Sequence, residues 1–382
     1  MPSPKPPVSS APPIVRGGFI LCPCHPGAEA ALAGRQAEAL PSFLRGVWRR
    51  GLATFRIGPE SFDPPDDFAP DLVFAHTVVR SLGQVSGDSV AELAAKTCEL
   101  AGPVSWNAIH VWKRDERLDI VAADVRAAVA AACGVAVHDD PVAAADDLVL
   151  DCVLDSADRW WVGWHRAASP ASRWPGGVYP HPLPADKVSR AWLKLDEAIA
   201  SFGVTLQRGE RAIELGAAPG GACQRLLEAG LDVVGVDAAV VDATVAAHSR
   251  FEQWRMRARE VPLRRMKGFD WLLTDMNIDP SSTMAALERV LGGGVRPTGV
   301  IATLKLPDWS RAADLPGWLD AFRGWGYAPR VRQLSTGGRE VCVVATVRPA
   351  GRVTPPNRRR ATRRQGALGS PSGRRSARFR SR

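Results

Sequence analysis

The chain has 382 residues, 46% of them hydrophobic and 23% charged, which suits a soluble protein of two or three cored domains and excludes a fibrous or wholly disordered chain. The formal net charge of +9 is uneven: residues 351–382 carry eleven Arg and no Asp, Glu or Lys, and without them 38 basic residues face 40 acidic ones. The charge therefore belongs to a C-terminal arm, and the body of the protein is close to neutral. Seven scattered cysteines, an odd number, point to reduced thiols. No apolar run of 18 residues and no apolar core near Met1 is present, so neither membrane insertion nor secretion is expected, and the expected location is cytoplasmic.

In chain order, residues 1–16 are Pro/Ser-rich and read as disordered. Residues 17–62 read as a small β-α-β unit: a strand at Phe19 to Cys22, an Ala-rich helix from Gly27 to Ala39, and a strand from Leu52 to Ile57. Cys22-Pro23-Cys24-His25 has the look of a metal knuckle, but no second ligand pair follows at zinc spacing, so no metal is expected. Asp63-Pro64-Pro65-Asp66-Asp67 marks a joint. Residues 63–166 read as an α+β domain with helices over Ser89 to Ala101 and Ile120 to Cys133, a strand over Ser105 to Trp112, and a hairpin of Asp147 to Leu154 with Trp160 to His165. Trp160, Trp161 and Trp164 could stack on nucleobases; their place at near-alternate strand positions favours packing. Residues 167–185, rich in Pro, Gly and Ser, read as an interdomain linker.

Residues 186–349 alternate helix and strand, which implies an α/β fold, a mostly parallel sheet covered on both faces. The apolar run Arg211 to Ile213 leads into Glu214-Leu215-Gly216-Ala217-Ala218-Pro219-Gly220-Gly221 and then a helix, the strand–glycine turn–helix corner that brings backbone close to a ligand. The next strand ends in Asp237, about 20 residues beyond the glycines, where a carboxylate can take two ribose hydroxyls. The glycine spacing lacks the pyrophosphate pattern, which argues against a dinucleotide and for S-adenosylmethionine. An ordinary structural corner is the bland alternative. Asp275 and Lys305 end later strands, Glu340 begins the last one, and Lys194 sits on the helix before the fold. Charges at the mouth of an apolar sheet are costly unless paired, and two lysines with two carboxylates can neutralise one another.

Ser189-Arg190-Ala191-Trp192-Leu193-Lys194-Leu195-Asp196-Glu197, Leu215 to Gly221, Thr274-Asp275-Met276, Leu304-Lys305-Leu306-Pro307 and Arg339-Glu340-Val341 resemble, in order, the motifs of the FtsJ-like ribose 2′-O-methyltransferases. Leu183 to Asp186, Asp275-Met276 and the segment Phe19 to Gly27 are similar to the RlmM branch of that family, the 23S rRNA cytidine 2′-O-methyltransferases. The resemblance implies a Rossmann-like methyltransferase domain with an antiparallel last strand, preceded by a THUMP-like RNA-binding region. It implies a catalytic tetrad of Lys194, Asp275, Lys305 and Glu340, and a cofactor set of Glu214, Gly216, Ala217, Ala218, Pro219, Gly220, Gly221, Asp237 and Asp275 for S-adenosylmethionine. The implied partner is RNA, either 23S rRNA or a large-subunit precursor, with no membrane and no metal. Two departures stand out: Ala222 replaces the family's Trp, and the acid that would face adenine is missing, Glu260 being a weak candidate among Arg255, Arg257 and Arg259. The competing readings are the same reaction on another RNA and a non-catalytic RNA-binding assembly factor. Residues 350–382 read as an Arg-rich, disordered tail that either adds salt-sensitive affinity for RNA or is solvated and dispensable.

Overall fold

The computed structural model describes residues 19–39, 44–56, 70 and 72–347. The expectations for residues 1–16, the joint at 63–67 and the tail 350–382 lie outside the described residues.

Two seven-stranded sheets organise the chain. The N-terminal sheet is built from β1 (Phe19–Pro23), β2 (Leu44–Arg49), β3 (Leu52–Arg56), β4 (Val79–Ser86), β5 (Ala108–Lys113), β6 (Leu148–Ser156) and β7 (Arg159–Arg166), in the order β2-β3-β1-β4-β7-β6-β5. Three helices accompany it: α1 (Glu29–Ala39), α2 (Val90–Ala101) and α3 (Ala122–Cys133). The expected β-α-β unit is thus corrected. β1 and β3 are antiparallel, and β2 pairs with β3 as a hairpin across a turn where Gly51 sits at φ +81°. A side chain at Gly51 would come within 1.9 Å of the Arg114 carbonyl oxygen, so the turn requires glycine. β1 also pairs with β4, so the segments read as two units share one sheet. Trp160 and Trp164 on β7 are fully buried in the core under α2 and α3, which makes them packing residues.

The C-terminal sheet comprises β8 (Arg211–Leu215), β9 (Asp232–Val236), β10 (Phe251–Trp254), β11 (Trp271–Thr274), β12 (Gly299–Lys305), β13 (Tyr327–Arg332) and β14 (Glu340–Val347). Its order is β10-β9-β8-β11-β12-β14-β13, with every neighbouring pair parallel except those of β14, which runs antiparallel to β12 and β13. This is a Rossmann-like α/β fold with an antiparallel strand inserted near one edge. The strand order turns outward on both sides of β8 and β11, and the crevice at their carboxyl ends is where such sheets take ligands.

Helices α4 (Arg190–Phe202), α5 (Gly221–Glu228), α6 (Ala243–Ala246), α7 (Pro280–Leu287) and α8 (Leu315–Gly324) complete this half. In α4, Ser189 caps the N-terminus by accepting from the Ala191 amide, and Gly203 ends the helix at φ 61°. Trp192, Leu195, Ala198 and Phe202 recur at helical spacing and are buried, which fixes how α4 is rotated against the sheet.

Residues 167–185 are not a solvated linker. Trp174 and Tyr179 are buried with their rings 5.0 Å apart, and Gly177 lies so close to His76 that a Cβ would meet its carbonyl oxygen at 2.3 Å. Aromatic docking overrides the Pro/Gly composition here. The two halves also share a core in which Ile20, Phe55 and Phe74 cluster with Leu272, Leu304 and Phe322.

Candidate active site

Pairing register builds the charged centre. β12 and β14 align so that Lys305 stands directly opposite Glu340. Asp275 follows β11, the parallel neighbour of β12, and Lys194 reaches over from α4. The four side chains form an alternating ring in which each lysine touches both carboxylates. Lys194 Nζ bonds Asp275 and lies 3.2 Å from Glu340 Oε1; Lys305 Nζ bonds Glu340 and lies 3.1 Å from Asp275 Oδ1. All four side chains are 11–22% exposed, so the ring is reachable at one edge and sheltered elsewhere.

Burial alone would drive the proton off Lys305, but the attraction of Asp275 and Glu340 outweighs it and raises the lysine above its ordinary value. Burial likewise opposes charge on Asp275, and Lys194 with Lys305 overcome it, holding that carboxyl below the usual range. Asp275 and Lys305 are therefore each held in the charged form by the other members of the ring.

The glycine turn lies beside it. Gly216 adopts φ +81°, and a Cβ there would come within 2.6 Å of Met276 Cγ. The Gly216 and Ala217 amides donate to the Val236 carbonyl, the Ala218–Pro219 peptide is cis, and Gly220 and Gly221 open α5. Asp237 meets this turn, its Oδ2 accepting from the Ala218 amide at 3.0 Å and its Oδ1 from the Ala239 amide at 2.9 Å. Glu214 stands apart from the other expected cofactor residues. Its carboxyl is buried below the turn, 2.9 Å from the Cys223 thiol, and burial pushes it up to about 8. Glu260 is engaged locally, accepting from the Arg257 amide at 3.0 Å.

A small pocket opens under the ring, between α4 and the sheet; Ala191, Ala198 and Ala222 line it with Lys194, Asp275 and Glu214. Ala222, where the resemblance expects Trp, is one of the small residues that leave this space.

Glu197 is not among the residues expected from the sequence to serve the site. It is fully buried and accepts four hydrogen bonds: from the Ser335 amide (2.7 Å) and hydroxyl (2.9 Å), and from the Thr336 amide (2.8 Å) and hydroxyl (2.6 Å). That clasp fixes the loop leading to Glu340. The available signal was an acid on the apolar face of α4, one turn after Lys194. Cys22 and Cys24 are buried free thiols, and His25 Nε2 bonds the Leu334 carbonyl at 2.9 Å. Among the described residues no cluster of His, Cys, Asp and Glu is arranged to hold a metal, and no helix is long and apolar enough to cross a membrane.

Residues 187–292 match the FtsJ-like methyltransferase family. Over 182 residues the chain is 30% identical to Ribosomal RNA large subunit methyltransferase M of Azotobacter vinelandii, covering 45% of this chain and 49% of that protein. Over 185 residues it is 33% identical to the protein of the same name from Halorhodospira halophila, covering 46% and 52%. The chain thus spans about half the length of the curated relatives it matches. Among solved structures it is similar to TrmN from Thermus thermophilus, with 17% identity, 86% of this chain and 99% of that chain covered, and a TM-score of 0.33.

Proposed function

We propose that this chain, with its FtsJ-like methyltransferase domain, is an S-adenosylmethionine-dependent ribose 2′-O-methyltransferase acting on large-subunit ribosomal RNA, at a cytidine of 23S rRNA. The observation that carries the reading is the alternating Lys194–Asp275–Lys305–Glu340 ring at the carboxyl edge of the sheet, beside the turn Gly216 to Gly221. A ribose hydroxyl is a poor nucleophile at neutral pH, so transfer needs it held in line and relieved of its proton.

The residues at the turn fit the cofactor: Gly216, Gly220 and Gly221 let the turn pack tightly against Met276, Val245 and Ser189, and the Asp237 carboxylate is placed for a ribose diol. Asp275 would take the cofactor's amino group, and Glu214 supports the turn from below. S-adenosylmethionine supplies an electrophilic methyl on sulfur. The Lys305 ammonium donates to the 2′-oxygen as its charge develops; once it has released its own proton to water, the neutral amine instead takes the 2′-hydroxyl proton. Glu340 and Asp275 hold the Lys305 ammonium in place, and Lys194 competes for the same carboxylates, easing their grip when Lys305 must give up a proton. The N-terminal half, a THUMP-like region in this reading, supplies substrate grip.

The test is transfer of labelled methyl from S-adenosylmethionine to an unmodified 23S rRNA transcript, followed by nucleoside analysis. The expected product is 2′-O-methylcytidine, lost in Lys305→Ala while RNA and cofactor binding persist. A Lys305→Ala protein that still transfers methyl refutes the assignment; wild-type protein that binds RNA and transfers nothing points to a non-catalytic assembly factor or another RNA.

A further inference from the structure

The segment 255–267 carries Arg255, Arg257, Arg259, Arg264, Arg265 and Lys267 against a single acid, Glu260. It begins at the cofactor edge of the sheet, where the Asp237 amide donates to the Trp254 carbonyl at 3.3 Å. All six cations are exposed, while Met256 and Ala258 pack on the core and Val261 and Met266 are buried. Basic side chains therefore face out and apolar ones anchor the segment. Arg289 ties it down further, donating to the Val261 carbonyl at 2.5 Å, and the Arg265 guanidinium lies 3.9 Å from the Trp254 ring centroid.

Among the described residues none of the six forms an ion pair, whereas Lys187, Arg225, Arg311 and Arg323 of the same half each have a carboxylate partner. Six like charges on an anchored strip repel one another, a cost that a polyanion offsets. Their concentration beside the cofactor turn is an electrostatic footprint of the kind that tracks a phosphate backbone.

We propose that residues 255–267 form a contact surface for the phosphodiester backbone of the substrate RNA, placed on the methyltransferase half itself. This rests on the RNA reading above and adds a second grip, independent of the N-terminal half and next to the site of transfer. An acidic protein partner is the competing occupant.

The test compares the full-length protein with a strip variant, Arg255→Gln/Arg257→Gln/Arg264→Gln, and a control of equal charge change elsewhere on the same half, Arg208→Gln/Arg296→Gln/Arg323→Gln. Binding to an unmodified 23S rRNA transcript is measured across a salt series, with cofactor affinity and methyl transfer in parallel. Each phosphate contact contributes ~0.7–0.9 to the log–log salt slope, so the strip variant should be shallower by about 2–3 and bind at least tenfold more weakly at low salt. The control should change less than twofold, and cofactor affinity should hold in both variants. Equal slopes in wild type and strip variant overturn the proposal, as does a strip effect no larger than the control's. If wild type binds RNA but transfers no methyl, the catalytic reading fails while the slopes still decide this one.

Discussion

Glu214→Gln separates a buried carboxylic acid from a buried charge. The Glu214 carboxyl, 2% exposed, is pushed from 4.5 up to about 8, chiefly by burial, with Asp275 adding to the rise and the Cys223 contact and Lys194 opposing it. In that window the folded protein keeps a proton that the unfolded chain has released. The unfolded state thus binds fewer protons, and this group's contribution to stability falls as pH rises. At ~1.36 kcal/mol per pH unit, the window from 4.5 to about 8 amounts to roughly 5 kcal/mol. Glutamine keeps the shape and cannot ionise. Urea unfolding of both proteins at pH 5, 6, 7 and 8 should show the variant gaining about 1.4 kcal/mol over wild type per pH unit. A stability difference that stays flat with pH, or a Glu214 carboxyl carbon that titrates near its ordinary value by NMR, would refute the reasoning.

Gly216→Ala should cost about 1–2 kcal/mol from its positive φ alone, more with the Met276 contact, and weaken cofactor binding by calorimetry. Glu197→Ala leaves four donors without their acceptor and should destabilise by about 3 kcal/mol or more. Glu197→Gln should recover part of that and part of kcat, and equal kcat in the two variants would remove Glu197 from the positioning of Glu340. The ring sets a pH signature of its own. Asp275, held low, contributes stability above its ordinary value that is lost as pH falls through the folded one, and Lys305, held high, contributes below its ordinary value and loses it as pH rises through the folded one. Asp275→Asn should flatten the acid limb of thermal midpoint against pH, and an unchanged limb would contradict the ion-pair geometry.

The C-terminal half was legible because its signals are local: an acid or lysine at each strand end, a glycine turn, and helices with one apolar face. The direct facing of Lys305 and Glu340 needed the antiparallel insertion of β14, which no local pattern specifies. The strand Val79–Ser86 escaped notice because its register shifts between Ser81 and Gly83, which breaks the alternation by which strands are recognised. The short β10 offered four residues, too few for periodicity. Residues 167–185 misled because composition reports chain stiffness and says nothing of where Trp174 and Tyr179 dock. Glu197 was hidden by its own sequence context: an acid in a helix reads as solvent-facing until the partner loop, 138 residues away, is known.

The loop Gln333–Thr336 is moored from several directions. The Gln333 amide donates to Val73, His25 bonds the Leu334 carbonyl, the Tyr179 amide donates to the Ser335 hydroxyl, and Arg190 donates to the Thr336 carbonyl. Four residues before Glu340, the chain is thus strung between connections of the N-terminal half, the segment 167–185 and α4 like a cable with separate stays. A C-terminal half cut free at residue 186 would lose two of those stays, so its Glu340 would inherit slack. Exchange of N-terminal halves between such proteins would then succeed only where the His25 and Val73 moorings travel with a matching loop, which ties the inheritance of the two halves together.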